Sequence, residues 1–233
     1  MVSPPRTVIA PDVLRLFAYN SLLKRLTGEG HYVEYEVDGD PARRTQAGCD
    51  MRQGAARPTL FVFAYDWRVD NAINAAALRD YVLCVRRFHP DSQINLLTHS
   101  MGSLLARRYI LDNAPDHYVN DMITIGAPWL GATKLLHVLE TGEFITEPFL
   151  IAAGPGIKAA AQTMTAAHQL MPGRAFFELY ENTPPFVENG WDINTSGNGE
   201  APEAYDFDTL RDLADMRYLN APDTTADDFH TYG

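Results

Sequence analysis

The 233 residues carry 19 Lys and Arg against 30 Asp and Glu, a net charge of −11 that repels a nucleic-acid backbone or an anionic membrane surface, so no nucleic-acid partner is expected. Hydrophobic residues at 46% and charged residues at 21% are ordinary for a folded chain, which excludes a disordered one and suits one domain, or one domain with an inserted cap. Two cysteines, Cys49 and Cys84, permit at most one disulfide and supply no metal-ligand cluster, so neither a metal nor another cofactor is expected.

The first residues, MVSPPRTVIAPDVL, hold no apolar core long enough for a signal peptide. Between Leu14 and Leu26, apolar positions Leu16, Tyr19, Leu22, Leu23 and Leu26 mark an amphipathic helix that stops at Gly28 or Gly30. His31 to Val37 alternates like a strand with one wet face. Asp38 to Pro58 is polar and rich in Gly, Pro and Arg, a loop or small excursion. Thr59 to Tyr65, TLFVFAY, reads as a second, buried strand, ending in Asp66-Trp67-Arg68. Asp70 or Asn71 then caps a helix running to Phe88. Within it, Ile73, Ala77, Tyr81, Cys84, Val85 and Phe88 recur at helical spacing, so Cys84 reads as a buried thiol.

Pro90-Asp91 turns the chain into its organising stretch, QINLLTHSMGSLLARR, Gln93 to Arg108. Ile94 to Leu97 is a short run suited to a parallel strand buried on both faces, and Leu104, Leu105 and Tyr109 begin a helix. Ser100 sits at the corner between them, the geometry of a nucleophile elbow. Such a turn lifts the hydroxyl towards a substrate carbonyl, and the Met101 backbone N–H at the helix N-terminus is placed as an oxyanion donor. Side chains two before and two after the serine must be small; Gly102 complies, whereas Thr98 departs from G-x-S-x-G, so crowding is expected there. The competing reading makes Ser100 an ordinary N-cap, but it leaves the apolar strand before and the amphipathic helix after unexplained. His99 reads as a packing residue, because neighbours on such a turn point apart.

Asn113 to Asn120 is a turn region, and Met122 to Ile125 forms another apolar strand. Strand, helix, strand, helix, strand is the repeated crossover unit of an α/β fold with a parallel sheet flanked by helices. Phe144 to Met171 has the Ala- and Gly-rich make-up of a mobile helical cap or lid, and an ordinary packed helix from Ile157 to Leu170 also accounts for it. The longest apolar stretch, Phe149 to Met171, is broken by Gly154-Pro155-Gly156, Lys158 and His168, which argues against a membrane span, so the chain reads as soluble with its compartment open. Asn182 to Glu203 is loop-like and Tyr205 to Met216 reads as a last helix. The organisation is therefore a partial core at 1–143 with the elbow, a cap-like segment at 144–181, and loop plus helical remainder at 182–233.

Tyr65-Asp66-Trp67-Arg68, His99-Ser100-Met101-Gly102, Gly126-Ala127-Pro128-Trp129-Leu130-Gly131 with Lys134, and Gln169-Leu170-Met171-Pro172 together resemble the lecithin:cholesterol acyltransferase family of α/β-hydrolases. The resemblance runs from about Leu14 to Tyr180 and rests on the order and spacing of these blocks. It implies a serine acyltransferase or lipase that takes an acyl group from a lipid ester onto Ser100 and passes it to an alcohol or water, without a cofactor. Tyr65, Asp66, Trp67, Arg68 and Trp129 follow strand ends, where open α/β sheets bind ligands, so they are candidate substrate-pocket residues. An Asp66–Arg68 pair that only ties its loop down, and a Trp129 that only plugs the core, stand beside that reading.

The triad does not close in the sequence. Acid and histidine follow the serine, each after a later strand, in this fold. His117 lies in a turn, His137 in the helix after Gly131, His168 in the cap-like segment and His230 near the end beside Asp227 and Asp228. None follows a late strand, and neither the family's acidic turn nor the early loop with the other oxyanion N–H is found. The expectation is the middle of a larger hydrolase, nearly inactive by itself. The rivals are a compact enzyme using His230 as base, and a non-catalytic remnant that binds lipid or protein. Acyl-chain preference and oligomeric state leave no signal in the sequence.

Overall fold

A computed structural model describes residues 19–35, 57–142 and 155–179. In chain order its elements are α1 (Asn20–Gly28), α2 (Asn71–Phe88), β1 (Ile94–His99), α3 (Gly102–Asp112), β2 (Val119–Ile125), α4 (Lys134–Thr141), α5 (Pro155–Gln162), α6 (Thr165–Gln169) and α7 (Arg174–Leu179). Residues 14–18, Asp38 to Pro58 as far as residue 56, 143–154 and everything from 180 on, including the helix expected at Tyr205 to Met216 and His230, lie outside the described residues.

The centre is a strand–helix–strand unit. β1 and β2 pair in parallel, Leu96 opposite Met122 and His99 opposite Ile125, with a register shift between Ile94 and Leu96. A parallel pair needs a crossover, and α3 supplies it. The helix buries Leu105, Ala106 and Tyr109 against Ala75, Leu78 and Val82 of α2 and Val119 of β2, with Ile94, Leu96 and Met122 half-buried beside them. α2 meets α3 through residues at three- and four-residue spacing: Asn74, Ala75, Leu78, Tyr81, Val82 and Val85 are all buried. The Asp70 carboxylate caps it by accepting from the Ala72 N–H at 2.7 Å, and Arg86 and Arg87 in the last turn complement the helix dipole.

Three readings of the sequence need correction. β1 alternates between half-buried and exposed residues, and Leu97 on its outer side is 44% exposed, so the strand is not buried on both faces. An unbroken Ile, Leu or Val run fixes apolarity but not which face is covered. The run Thr59 to Tyr65 carries only an isolated parallel bridge, Leu60 with Glu34, rather than a full ladder; its aromatics are held by ring contacts, Phe63 against Tyr65 and Tyr81. Cys84 is buried as expected but is disulfide-bonded, not a free thiol; Cys49 lies outside the described residues.

Ile157 to Leu170, for which one packed helix stood as the alternative to a cap, forms two helices, α5 and α6, with Met164 between them extended. That break lets α6 aim Gln169 at the start of α2. The Gln169 amide oxygen accepts from Asn71 N–H and Asn71 Nδ2, both at 2.9 Å, while its Nε2 donates to the Asp70 carboxylate at 2.8 Å. Asn71 and Gln169 are buried, Gln169 being 2% exposed, and the Asp70 carboxylate is half-buried beside them. Gln169→Leu strips those partners inside the core, and we expect it to cost about 2–3 kcal/mol, read from the urea midpoint; an unchanged midpoint would show the network to be dispensable.

Candidate active site

The chain turns from β1 to α3 on Ser100. Its φ is +52°, a left-handed conformation that a residue with a Cβ adopts at a cost of about 1–3 kcal/mol and keeps only where the surroundings enforce it. The enforcing contacts are local. The Ser100 N–H donates to the Ile125 carbonyl at 2.9 Å, tying the corner to the end of β2, and the Ser103 N–H donates back to the Ser100 carbonyl at 3.0 Å. Ser100 is exposed, at the edge where both strands end. The next helical bond runs from Leu104 N–H to the Met101 carbonyl, so among the described residues the Met101 and Gly102 N–H groups accept no commitment. A strained serine in front of free amides at a helix N-terminus is suited to attack a carbonyl and hold the resulting negative charge.

Thr98 is accommodated by a hydrogen bond. Its Oγ1 lies 2.9 Å from Ser103 Oγ, itself fully buried, and donates to the Ile123 carbonyl at 3.3 Å. The crowding expected from a β-branched residue is turned into a polar pin between β1, α3 and β2. His99 packs against Tyr19, its Nδ1 2.8 Å from the Tyr19 hydroxyl and the rings edge to face. Burial pushes the Tyr19 phenol up, and which of the two groups donates depends on the histidine tautomer.

The remaining candidate residues divide. Tyr65 belongs to the corner: its ring packs on Met101, Leu104 and Ala166, and a Cβ placed on Gly102 would lie 3.7 Å from its hydroxyl oxygen. Asp66 and Arg68 engage each other instead. Arg68 Nε and Nη2 donate to the two carboxylate oxygens at 2.8 and 2.7 Å, the Arg68 N–H adds a third bond at 3.1 Å, and Asn74 Nδ2 holds the Asp66 carbonyl. This is the loop-tying pair. Trp67, presented by that loop, is 48% exposed, and Trp129, in the turn after β2, is 40% exposed, so it does not plug the core.

The Arg68 hydrogen bonds hold the Asp66 carboxyl below the usual carboxylate range. A lowered folded-state value contributes stability that is complete above the unfolded value, near 4, and lost as pH falls through the folded one. Arg68→Ala is therefore expected to melt below the parent at pH 7, with the gap closing on acidification through and below that range. A gap independent of pH, measured by thermal unfolding at several pH values, would contradict it.

Histidines elsewhere have structural partners: His89 Nε2 with the Pro58 carbonyl, His117 Nδ1 accepting from Val119 N–H, and His168 Nε2 with the Gln162 carbonyl. The side chain of His137 and all of His230 lie outside the described residues. No group of three potential metal ligands and no helix long and apolar enough to cross a membrane occurs among the described residues. The polar contacts of Tyr19, Ser103 and Gln169 escaped the sequence reading. For Tyr19 and Gln169 the partners lie 80 and 98 residues away and leave no periodic trace.

Beyond this pair of strand ends, the loop after β2 is locked to a later segment. Ala132 N–H donates to the Leu170 carbonyl at 2.7 Å, and Gly173 N–H to the Leu130 carbonyl at 3.2 Å. Gly131, at φ +92°, lies so close to Met171 and Pro172 that no side chain fits.

These features fall within a recognisable sequence frame. A family model described as lecithin:cholesterol acyltransferase matches residues 52–195. Phosphatidylcholine-sterol acyltransferase of Gallus gallus is 32% identical over 90 residues, 36% of this chain and 22% of that protein. The enzyme of the same name from Homo sapiens is 25% identical over 143 residues, 58% of this chain and 32% of its own. Lysosomal phospholipase A and acyltransferase of Homo sapiens is 33% identical over 86 residues, 34% of this chain and 20% of that protein. The matched stretch is thus between 20% and 32% of the length of these relatives.

Proposed function

The chain belongs to the lecithin:cholesterol acyltransferase family, and on that premise we propose that it carries the nucleophile of a serine-dependent lipid acyltransferase or lipase. The observation that supports this reading most directly is the corner itself: Ser100 at φ +52°, exposed, ahead of the uncommitted Met101 amide. Its relatives are named acyltransferases and phospholipases, which fits a lipid ester as substrate.

In the proposed reaction the Ser100 oxygen attacks the ester carbonyl as a base removes its proton, and the carbonyl electron pair moves onto oxygen, facing the Met101 N–H. Collapse expels the alcohol, which takes the proton back from the base, and leaves an acyl group on Ser100. Water or a second alcohol then attacks the acyl-enzyme and frees the serine. No described histidine is placed as that base. Trp67 and Trp129 are both exposed and would offer apolar surface to an acyl chain; Asp66 and Arg68 would hold Trp67 in place.

Incubation with a fluorophosphonate probe, followed by peptide mass spectrometry, tests the reading. Modification of Ser100, absent from Ser100→Ala, is the expected result, since the probe needs an activated hydroxyl. An unmodified Ser100 would favour a non-catalytic member that only binds lipid or protein.

A further inference from the structure

The residue that restrains the corner lies three positions beyond it. Ser103, in the first turn of α3 and fully buried, grips the chain on both sides of Ser100. Its N–H donates to the Ser100 carbonyl at 3.0 Å, and its Oγ lies 2.9 Å from Oγ1 of Thr98, two positions before the corner. Thr98 and Ser100 are each tied in turn to a carbonyl of β2. Thr98 reaches Ile123 through its side chain at 3.3 Å, and Ser100 reaches Ile125 through its backbone N–H at 2.9 Å. In the usual elbow a glycine at the position of Thr98 lets strand and helix backbones touch, and that contact sets the corner. A β-branched residue forbids the contact, so here the hydroxyl bond takes over the spacing of β1 and α3. The left-handed φ of +52° at Ser100 is the conformation that the chain adopts between these fixed points.

We infer that Thr98 and Ser103 are positioning residues for Ser100: the bond between their hydroxyls holds the serine in its left-handed conformation and so sets the direction in which its oxygen meets an ester carbonyl. This rests on the acyl-transfer reading above. Ser103 acts from inside the protein and has no access to substrate, since it is fully buried. The part it plays is geometric. Attack requires the oxygen close to the carbonyl carbon and in line with it, and a displacement of about 1 Å can lower a rate about 10²-fold. Once the bond is cut, nothing joins residue 98 to residue 103 across the corner, and the strained backbone of Ser100 is free to relax and carry the oxygen off that line.

Thr98→Val keeps the outline of the side chain and deletes its hydroxyl; Thr98→Val with Ser103→Ala deletes both. The single variant strands the buried Ser103 hydroxyl and should melt below the parent, whereas the double variant strands nothing and should melt within about 2 °C of it. The measurement is the second-order rate at which a fluorophosphonate probe labels Ser100 in the full chain, well below every melting midpoint. A fall of about 10–10²-fold is expected in both variants, with Thr98→Ser, which keeps the hydroxyl, within about 3-fold of the parent. The inference is overturned by a rate that recovers in the double variant together with its melting temperature, which leaves the pair a packing role alone. A rate equal to the parent's in every variant overturns it as well, and so does a loss in Thr98→Ser as large as that in Thr98→Val. Absence of Ser100 labelling in the parent chain overturns the acyl-transfer reading and this inference with it.

Discussion

Gly131→Ala should lower stability by about 3–5 kcal/mol, a fall of about 10 °C or more in melting temperature for a chain of this size. Two costs coincide. The backbone at Gly131 has φ +92°, where an L side chain is strained whatever the space around it. The new Cβ would also lie 2.5 Å from Pro172 Cα and 2.7 Å from the Met171 carbonyl carbon, and inside hard contact of the Met171 carbonyl oxygen. These are backbone atoms, held by the bonds from Ala132 to Leu170 and from Gly173 to Leu130, so neither side can yield without breaking the other. Thermal unfolding followed by circular dichroism checks it; a midpoint within about 2 °C of the parent would mean that the two loops part more easily than their hydrogen bonds imply.

Ser100→Ala is expected to abolish whatever serine-dependent turnover of a lipid ester the parent chain shows, leaving only the background rate. The reason is chemical rather than structural: no covalent intermediate can form without the hydroxyl, whatever the amides around it do. Folding should suffer little, since the hydroxyl makes no hydrogen bond among the described residues. Alanine does not relieve the left-handed backbone, which a Ser100→Gly variant would, so glycine should be the more stable of two equally inactive proteins. Release of fatty acid from a dispersed phospholipid measures the first effect and thermal melting the second. Serine-independent hydrolysis would remove Ser100 from the mechanism.

How far the molecule could be read in advance depended on the range of the signal. The elbow was legible because strand, corner and helix occupy consecutive residues, and the switch of hydrophobic period at Ser100 is local. Asp70 as a cap was legible for the same reason. What periodicity could not tell was coverage and pairing. Ile94 to Leu97 is apolar throughout, yet its outer side is exposed, and the apolar run ending at Tyr65 is bridged only through Leu60. Cys84 obeyed the helical pattern for burial, but oxidation depends on a second sulfur far off in the chain. Polar contacts such as Gln169 with Asn71 join residues whose spacing in sequence carries no rhythm. Among the candidate residues the sequence blocks did not separate their contacts: Tyr65 touches the corner, whereas Asp66 and Arg68 engage each other.

The hydroxyl pair of Thr98 and Ser103 couples two sequence positions physically. Replacing Thr98 by the glycine usual at that point strands a fully buried serine hydroxyl, and replacing Ser103 alone leaves Thr98 with a bulk it no longer has reason to carry. Each single change leads downhill, so a lineage moving between the threonine form and the glycine form must change both residues almost together, and descendants of this chain are expected to keep the two or lose the two.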